Sequence, residues 1–529
     1  MAQNVRGLMF DVLRAHGLTT LFGNPGSTEI SLLTDLPNDL TFILGLHEGS
    51  VVGMATGWAI ARDRPAAVIL HTTAGLGNAV GALATARVNR APLVVIVGQQ
   101  DRRHLAFEPF LAGRLHGLGG EYPVWTSQPA RAEDVPGAVA RAVHEARTGQ
   151  GPALVIVPMD DWTVPVDDGE TLPAPDLVRT CAQPDAATIA ELAGLINRAD
   201  NPAIVVGAGA DDPVTWAALT ALADRLSCPV WQESFGARAG FPQDHPRFAG
   251  HLPPVRTALR KTLSGHDLVL SVGAPVFRQS HFEAGPLLPP GTRTAVISQY
   301  AEEVHRSPAE LAILGAPGPV CAALLDAVDD RPEPATPVRR AAVPVPEYDG
   351  VLMPEHVFSA LAERLAPDTV LVEESPSSRP LLHDMVPARA PLGFVSAAMG
   401  GLGFALPAAT GLRMALPDRP VVAVVGDGSS LYGIQALWSA AHYAVGALFI
   451  VMSNGTYAIM DQLAVDKGHG KAPWPHFTEV SMSGLAESLG CSAVRVSDLD
   501  GLHERLDAII PTLAERTEPL VLDITVGTP

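Results

Sequence analysis

The stretch from Val421 to Tyr457 constrains the fold of this chain more than any other. Val421-Val422-Ala423-Val424-Val425 is an apolar run of strand length, and Gly426-Asp427-Gly428-Ser429 follows it. A helical stretch then leads to a second run, Leu448-Phe449-Ile450-Val451-Met452, and to Ser453-Asn454-Gly455-Thr456-Tyr457. Asp427 and Asn454 stand 27 residues apart, a separation that suits one strand–helix–strand crossover. The crossover makes the two strands parallel and sets the Asp and the Asn together at the carboxyl edge of the sheet. One carboxylate, one amide oxygen and spare backbone carbonyls suit a hard octahedral cation such as Mg²⁺, which keeps few protein ligands and is completed by water and phosphate. The glycines let the backbone approach a phosphate closely.

The same alternation of short β-branched runs with helical stretches recurs along the chain. It predicts an α/β protein built on parallel sheets wrapped by helices, doubly wound in each of three domains. Strands are expected at 67–70, 93–97 and 154–157, at 203–206, 268–272 and 295–297, and at 370–372, 421–425, 448–452 and 520–524. Two Pro- and charge-rich stretches, Pro165 to Asp185 and Asp329 to Tyr348, read as linkers and bound domains at 1–165, 184–328 and 349–529. At 529 residues and 47% hydrophobic, the chain has enough apolar mass for large cores.

Composition excludes several classes. A formal charge of −20 argues against nucleic acid or an anionic membrane as a partner. Cys181, Cys228, Cys321 and Cys491 are far apart and form no CxxC pair, so buried free thiols are expected rather than a zinc site or disulfides. Residues 4–13 read as an amphipathic helix without a signal peptide's apolar core, and no apolar run reaches the ~18 residues that span a bilayer. A cytoplasmic protein is expected.

The outer segments look like copies. Ala55-Thr56-Gly57 precedes Asp63-Arg64-Pro65 and a strand, and Ala409-Thr410-Gly411 precedes Asp418-Arg419-Pro420 and a strand. A shift of 355 lays Pro65 on Pro420 and Leu93 on Leu448. The same shift lays Thr72 on Asp427, Gln99 on Asn454 and His71 on Gly426. The first copy therefore keeps a crevice at its strand ends but offers an imidazole there in place of a metal carboxylate.

Gly-Asp-Gly with its spaced Asn resembles the metal–diphosphate motif of thiamin-diphosphate enzymes. Asn24-Pro25-Gly26-Ser27, Glu48, Leu70-His71-Thr72-Thr73-Ala74-Gly75, Gly273-Ala274-Pro275-Val276-Phe277-Arg278, Gly400-Gly401-Leu402-Gly403-Phe404-Ala405-Leu406-Pro407 and Ala436-Leu437-Trp438 resemble the benzoylformate decarboxylase family across almost the whole chain. The resemblance implies a pyrimidine-binding domain first, a central domain, and a pyrophosphate- and Mg²⁺-binding domain last. Thiamin chemistry needs a carboxylic acid beside the aminopyrimidine ring. Glu48 is the candidate, because it lies between the apolar run Phe42-Ile43-Leu44 and the buried-helix stretch Val51–Ala55, where a carboxylate needs a partner or a raised pKa.

The resemblance further implies that Ser27 holds the substrate carboxylate and His71 transfers a proton at its carbonyl. Leu402 would wedge beneath the bent cofactor, with the Gly400 carbonyl near its exocyclic amine. Asp427, Asn454 and the Thr456 backbone oxygen would hold Mg²⁺, while Ser377 and Ser429 would touch the diphosphate and Gly426, Gly428 and Tyr457 would complete the cofactor-binding set. It also implies a homodimer with shared sites, further paired to a tetramer.

Four departures touch the pocket. The family's second histidine comes two residues after Phe-Arg, whereas Phe277-Arg278 is followed by Gln279 and Ser280, with His281 one place late. Either a bulge restores His281 or Ser280 takes the site. Ser396 stands where the family has a phenylalanine. Ile459 replaces a small residue and Leu463 an aromatic one, and Pro376 replaces a polar cofactor contact. Met460 and Phe110 offer a differently placed apolar wall. The leading expectation is a thiamin-diphosphate- and Mg²⁺-dependent 2-oxoacid decarboxylase with carboligation from the same site. The alternatives are an acetolactate-synthase-type carboligase, against which Gly207-Ala208-Gly209 is too short for a dinucleotide motif, and a catalytically silent cofactor-binding subunit.

Overall fold

The computed structural model describes residues 3–166, 183–334, 336, 338–468 and 473–528. It contains three six-stranded sheets. The strands of the first are β1 Thr20–Asn24, β2 Thr41–Leu44, β3 Ala66–Leu70, β4 Leu93–Gln99, β5 Trp125–Ser127 and β6 Pro152–Pro158. Those of the second are β7 Pro202–Val206, β8 Val230–Gln232, β9 Phe248–His251, β10 Leu268–Val272, β11 Arg293–Ser298 and β12 Leu311–Leu314. The third has β13 Val370–Glu374, β14 Phe394–Ser396, β15 Val421–Gly426, β16 Leu448–Ser453, β17 Ser492–Val496 and β18 Leu520–Thr525. The strand pairs within each sheet are parallel. The central strands are buried along their length because Val, Ile and Leu face helices on both sides.

The first sheet runs β2-β1-β3-β4-β6-β5 and the third runs β14-β13-β15-β16-β18-β17. The two orders are identical strand for strand, as the repeat in the sequence predicts. The two Ala-Thr-Gly triplets also acquire a role. They lie on the helices Glu48–Arg62 and Ala405–Ala415, which cross against each other. A Cβ on Gly57 would stand 2.1 Å from the Ala408 carbonyl oxygen, and one on Gly411 would stand 1.9 Å from that of Met54. The contact is reciprocal: a shift of 354 lays Gly57 on Gly411 and Met54 on Ala408. Only glycine lets the two backbones approach this closely. Thr56 and Thr410 return their hydroxyls to the carbonyls of Val52 and Leu406 in the same helices, so neither intrudes on the crossing. This helix pair fixes the position of Glu48, the first residue of one partner, and of the Gly400–Phe404 loop that feeds the other.

The amino-terminal helix is Val5–Ala15, capped by the Asn4 side chain, with Val5, Met9, Phe10, Val12 and Leu13 buried. Cys228, Cys321 and Cys491 are buried free thiols, each pushed up to about 12 by burial. Cys181 and most of the expected first linker lie outside the described residues; the linker's last residue, Asp185, caps the helix Ala186–Arg198. Residues 329–348, where described, carry neither helix nor strand. No helix among the described residues is long and apolar enough to cross a membrane.

Residues 1–179, 397–496 and 511–525 form one compact unit, and 180–396, 497–510 and 526–529 another. Glu48, His71, Asp427 and Asn454 all belong to the first.

Candidate active site

Glu48 opens the helix Glu48–Arg62 and is 8% exposed. His47 caps that helix by accepting the Gly49 N–H at its Nδ1. Burial obliges the carboxylate to find partners. It has two: the Asn24 side-chain amide donates to Oε1 at 3.2 Å and that of Asn78 to Oε2 at 3.1 Å. Asn24 ends β1, and Asn78 lies on the helix Thr72–Val88. Asn78 was not among the residues singled out from sequence, because a polar residue inside an Ala/Gly-rich helical stretch carries no local signal of a distant carboxylate.

His71 follows β3 and precedes Thr72, whose φ of +36° is a strained value for a β-branched residue. Its Nδ1 lies 3.0 Å from Glu29 Oε2 and 2.9 Å from Thr28 Oγ1. Ser27, beside them in the Ser27–Glu29 turn, is exposed. The structure therefore brings Ser27 and His71 to one strand-end crevice, with Glu29 between the turn and the ring.

Asp427 follows β15 and is 5% exposed. Its Oδ1 accepts the Gly428 N–H at 2.7 Å, and its Oδ2 accepts those of Asn454 at 2.9 Å and Gly455 at 2.6 Å. Burial pushes this carboxyl above its usual range; the three N–H donors oppose that, and neighbouring Asp523 adds to it. Asn454 Oδ1 accepts from the Thr456 N–H at 3.0 Å, which fixes the amide. Glycine is required twice here. A Cβ on Gly428 would meet the Tyr457 ring at 2.7 Å, and Gly455 has φ +68°. Tyr457 packs on Phe477 with ring centroids 5.1 Å apart. Ser429 is buried in the turn after Asp427.

A divalent cation fits this set. A buried carboxylate whose charge burial disfavours, an oriented amide oxygen and adjacent backbone carbonyls are the hard-oxygen donors Mg²⁺ accepts. No group of three or more His, Cys, Asp or Glu that could hold a metal occurs among the described residues.

Gly400 and Gly403 have φ of +73° and +88°, and Leu402 between them is 38% exposed. A cavity of about 150 Å³ is lined by His47, Asn78, Thr85, Leu402, Gly403 and Tyr432, so the partner of Glu48 and the expected wedge residue share one wall.

The remaining expected residues belong to the second compact unit. Ser377 sits in the turn after β13, held by the Ser375 N–H on Glu373 and the Ser378 N–H on the Ser375 carbonyl. The side chain of His281 is 51% exposed and faces Ser280 Oγ at 3.0 Å and Glu283 at 4.0 Å. The backbone irregularity in that motif lies earlier, at Phe277 with φ +57°. Ser396 is buried on β14, with its N–H on the Ala237 carbonyl.

Models of the thiamine pyrophosphate (thiamin diphosphate) enzymes match the chain three times: the N-terminal TPP binding domain over residues 3–119, the central domain over 189–324 and the C-terminal TPP binding domain over 378–524. Those matches, together with three parallel sheets, place the chain among the thiamine pyrophosphate enzymes. Within that class it belongs to the family of benzoylformate decarboxylase, thiamin-diphosphate-dependent carboxy-lyases of 2-oxo acids. It is 37% identical to the benzoylformate decarboxylase of Pseudomonas aeruginosa over 520 residues, 97% of this chain and 98% of the relative. It superimposes on a thiamine diphosphate-dependent 4-hydroxybenzoylformate decarboxylase from Rhodococcus jostii RHA1 with a TM-score of 0.93 at 33% identity, covering 100% of both chains. The benzoylformate decarboxylase of Polynucleobacter necessarius gives 0.91 at 32%, covering 100% of this chain and 99% of that one. An acetolactate synthase large subunit of Parasynechococcus marenigrum is 27% identical over 574 residues, 98% of this chain and 86% of the relative. Enzymes of this family bind thiamin diphosphate, typically with Mg²⁺.

Proposed function

We propose that this enzyme converts a 2-oxo acid to an aldehyde and CO₂, with carboligation from the same site, and that an aliphatic or other non-phenyl 2-oxo acid is a better substrate than benzoylformate. One observation carries the reaction class. Two sheets of identical strand order present different chemistry at equivalent ends: His71-Thr72 after β3 and Gly426-Asp427 after β15. One end is equipped to move protons and the other to hold a metal diphosphate.

We assign pyrimidine binding to 1–165, the central domain to 184–328 and pyrophosphate binding to 349–529. Asp427, Asn454 and the Thr456 carbonyl hold Mg²⁺. Ser377 and Ser429 bind the diphosphate, with Gly426, Gly428 and Tyr457 around it. With the cofactor bound, Gly400 and Leu402 would orient it and Glu48 would hold a proton at its aminopyrimidine ring, while Ser27 binds the substrate carboxylate and His71 transfers the proton, with His281 as a second histidine. Bound thiamin diphosphate supplies the electron sink for the pair left by the departing CO₂.

The central sheet disfavours the acetolactate-synthase alternative. A dinucleotide loop leaves the space above its glycines to a pyrophosphate. Here protein fills it: a Cβ on Gly207 would stand 2.4 Å from Glu233 Oε1, and one on Gly273 would stand 2.4 Å from the Ala210 nitrogen. A silent subunit is disfavoured because Glu48 and His71 are both in place with their hydrogen-bond partners.

A second copy of the chain completes each site. The cavity beside Glu48 falls short of the ~300–1,000 Å³ of ordinary ligand sites, and Leu46, Met399, Leu402 and Tyr432 are exposed apolar or aromatic side chains of the same unit. The test mixes Glu48→Gln chains with Asp427→Ala chains, each inactive alone. A mixed dimer collects both lesions in one site and leaves the other intact, so activity is expected to return after subunit exchange. Its absence after verified exchange assigns each site to a single chain. Pairing of dimers into a tetramer is read from the mass in the same experiment.

Specificity follows from the pocket replacements. Ser396 and Leu463 remove two aromatic walls, each contributing about 0.5–1.5 kcal/mol to a phenyl ring, and Ile459 adds bulk. Ile459 is half-buried, while Met460 and Leu463 are exposed on the helix Ala458–Asp466. Two lost contacts correspond to roughly a tenfold to hundredfold preference. An aliphatic or other non-phenyl 2-oxo acid is expected to lead a kcat/KM panel at saturating thiamin diphosphate and Mg²⁺. Benzoylformate leading by roughly tenfold, about 1.4 kcal/mol, defeats the assignment.

A further inference from the structure

We infer that Glu29 is the positioning residue of the proton-transfer site: its buried carboxylate holds the His71 ring with the hydrogen on Nδ1, so that Nε2 is the nitrogen that accepts and returns the proton. The inference rests on the proposed role of His71 as proton carrier and extends it to a residue with no assigned part in the reaction.

The assignment follows from counting donors. Glu29 is 2% exposed. Its Oε2 accepts the Gly26 N–H at 2.7 Å and faces His71 Nδ1 at 3.0 Å. Its Oε1 accepts the Thr28 hydroxyl. That hydroxyl has one hydrogen and commits it to Glu29, so toward His71 Nδ1, 2.9 Å away, Thr28 offers only an acceptor. Nδ1 therefore meets two acceptors and no donor. The arrangement is satisfied only if Nδ1 carries a hydrogen, which leaves the lone pair of a neutral ring on Nε2. Among the described residues nothing hydrogen-bonds Nε2, and the side chain is 15% exposed, so that nitrogen is left without a protein partner.

Two glycines make the geometry rigid. A Cβ on Gly98 would lie 1.7 Å from Glu29 Oε1 and 2.4 Å from Thr28 Oγ1, so β4 gives up a side chain to admit this carboxylate. A Cβ on Gly26 would lie 2.4–2.6 Å from three atoms of the His71 ring, so the backbone of the Ser27 turn packs directly on the imidazole. The strained φ of Thr72 sets the backbone immediately after it. In the step itself, His71 Nε2 takes a proton from solvent and delivers it to the reacting carbon or oxygen of the substrate. The Nδ1 hydrogen stays in place throughout, and the Glu29 charge offsets the imidazolium while it exists.

The test uses the full-length holoenzyme labelled with ¹⁵N-histidine, with a His71→Asn sample to assign the resonances. Wild type is expected to show the neutral ring protonated at Nδ1 and bare at Nε2. Glu29→Gln is expected to lose that single tautomer and to lower kcat roughly ten- to hundredfold, the usual cost of removing the group that orients a working histidine. KM and thiamin-diphosphate affinity should stay within about threefold. Glu29→Asp, which keeps the carboxylate, should retain the wild-type tautomer in part and recover part of the rate. A neutral wild-type ring protonated at Nε2 and bare at Nδ1 overturns the inference, and so does Glu29→Gln with an altered tautomer and undiminished kcat. The wild-type spectrum decides the point even if Glu29→Gln does not fold. A protein with the expected tautomer but no turnover on any 2-oxo acid would refute the proposed reaction while leaving the role of Glu29 on the ring intact.

Discussion

Glu48→Gln should leave an enzyme that binds thiamin diphosphate and hardly turns over. The carboxylate sits between two amide donors, Asn24 and Asn78, and is closed off from water on the helix side. Glutamine fills the same volume and keeps one acceptor oxygen. Its NH₂ must face one of those donors, which is relieved when that asparagine turns its own amide over. What glutamine cannot do is give up and recover a proton at the aminopyrimidine ring. General acid–base groups contribute about 10²–10⁴-fold, so kcat should fall by that factor, about 3–5 kcal/mol. Thiamin-diphosphate affinity should change less than about tenfold. Exchange of the cofactor's C2 proton into deuterated solvent should slow in parallel with kcat. Exchange at the wild-type rate would remove Glu48 from the proton path.

How much of this was legible in the sequence depends on where a residue finds its partners. The strands named from sequence are interior ones: β3, β4, β15 and β16 carry continuous apolar runs because helices cover both faces, and in β18 the run is broken only by Asp523. The strands it did not reveal include β5, β9, β12, β14 and β17, all at sheet edges. These strands are three to five residues long, β5, β12 and β17 are also partly solvated, and β5 and β17 are of mixed polarity, so neither a long apolar run nor a clean alternation marks them. The internal repeat was visible because both copies kept the Ala-Thr-Gly triplet. The reason they kept it lies in a backbone crossing between helices more than 350 residues apart, which no local pattern describes.

The site divides the same way. Asp427 and Asn454 announce themselves through glycines and flanking strands, because the hydrogen bonds that hold Asp427 come from its own crossover. Glu48 was readable as a carboxylate in need of a partner, but Asn78, 30 residues on, was not readable as that partner. Glu29 was missed because Gly26 to Glu29 has the spacing of an ordinary helix cap, and the carboxylate does accept the Gly26 N–H in that way. The signal that could have found it is Gly98. A lone glycine ending the run Leu93-Val94-Val95-Ile96-Val97 marks a place where something else approaches the strand, and the approaching group is the Glu29 carboxylate.

Asp427→Ala should abolish tight, metal-dependent binding of thiamin diphosphate. The substitution does more than delete a ligand. It strips the acceptor from the Gly428, Asn454 and Gly455 N–H groups together and loosens the turn that presents the Asn454 oxygen. Wild-type Asp427 is held in an environment where burial disfavours its charge, which a divalent cation would offset. Alanine leaves a diphosphate facing a site with only two neutral oxygen donors, the Asn454 amide and the Thr456 carbonyl, and no counter-charge beyond the metal's own. Removing one member of a buried, hydrogen-bonded charge arrangement costs about 2–5 kcal/mol, roughly 30- to 4,000-fold in Kd. Calorimetric titration with thiamin diphosphate, with Mg²⁺ and with a chelator, separates the contributions. Wild type should bind tightly only with the metal, and the variant weakly in both cases, with circular dichroism unchanged. Asp427→Asn, which restores one acceptor for the turn but no charge, should recover the fold of the loop and little of the affinity. That contrast assigns the loss to the missing charge rather than to a collapsed turn. Tight, metal-independent binding by Asp427→Ala would show that the diphosphate is held elsewhere.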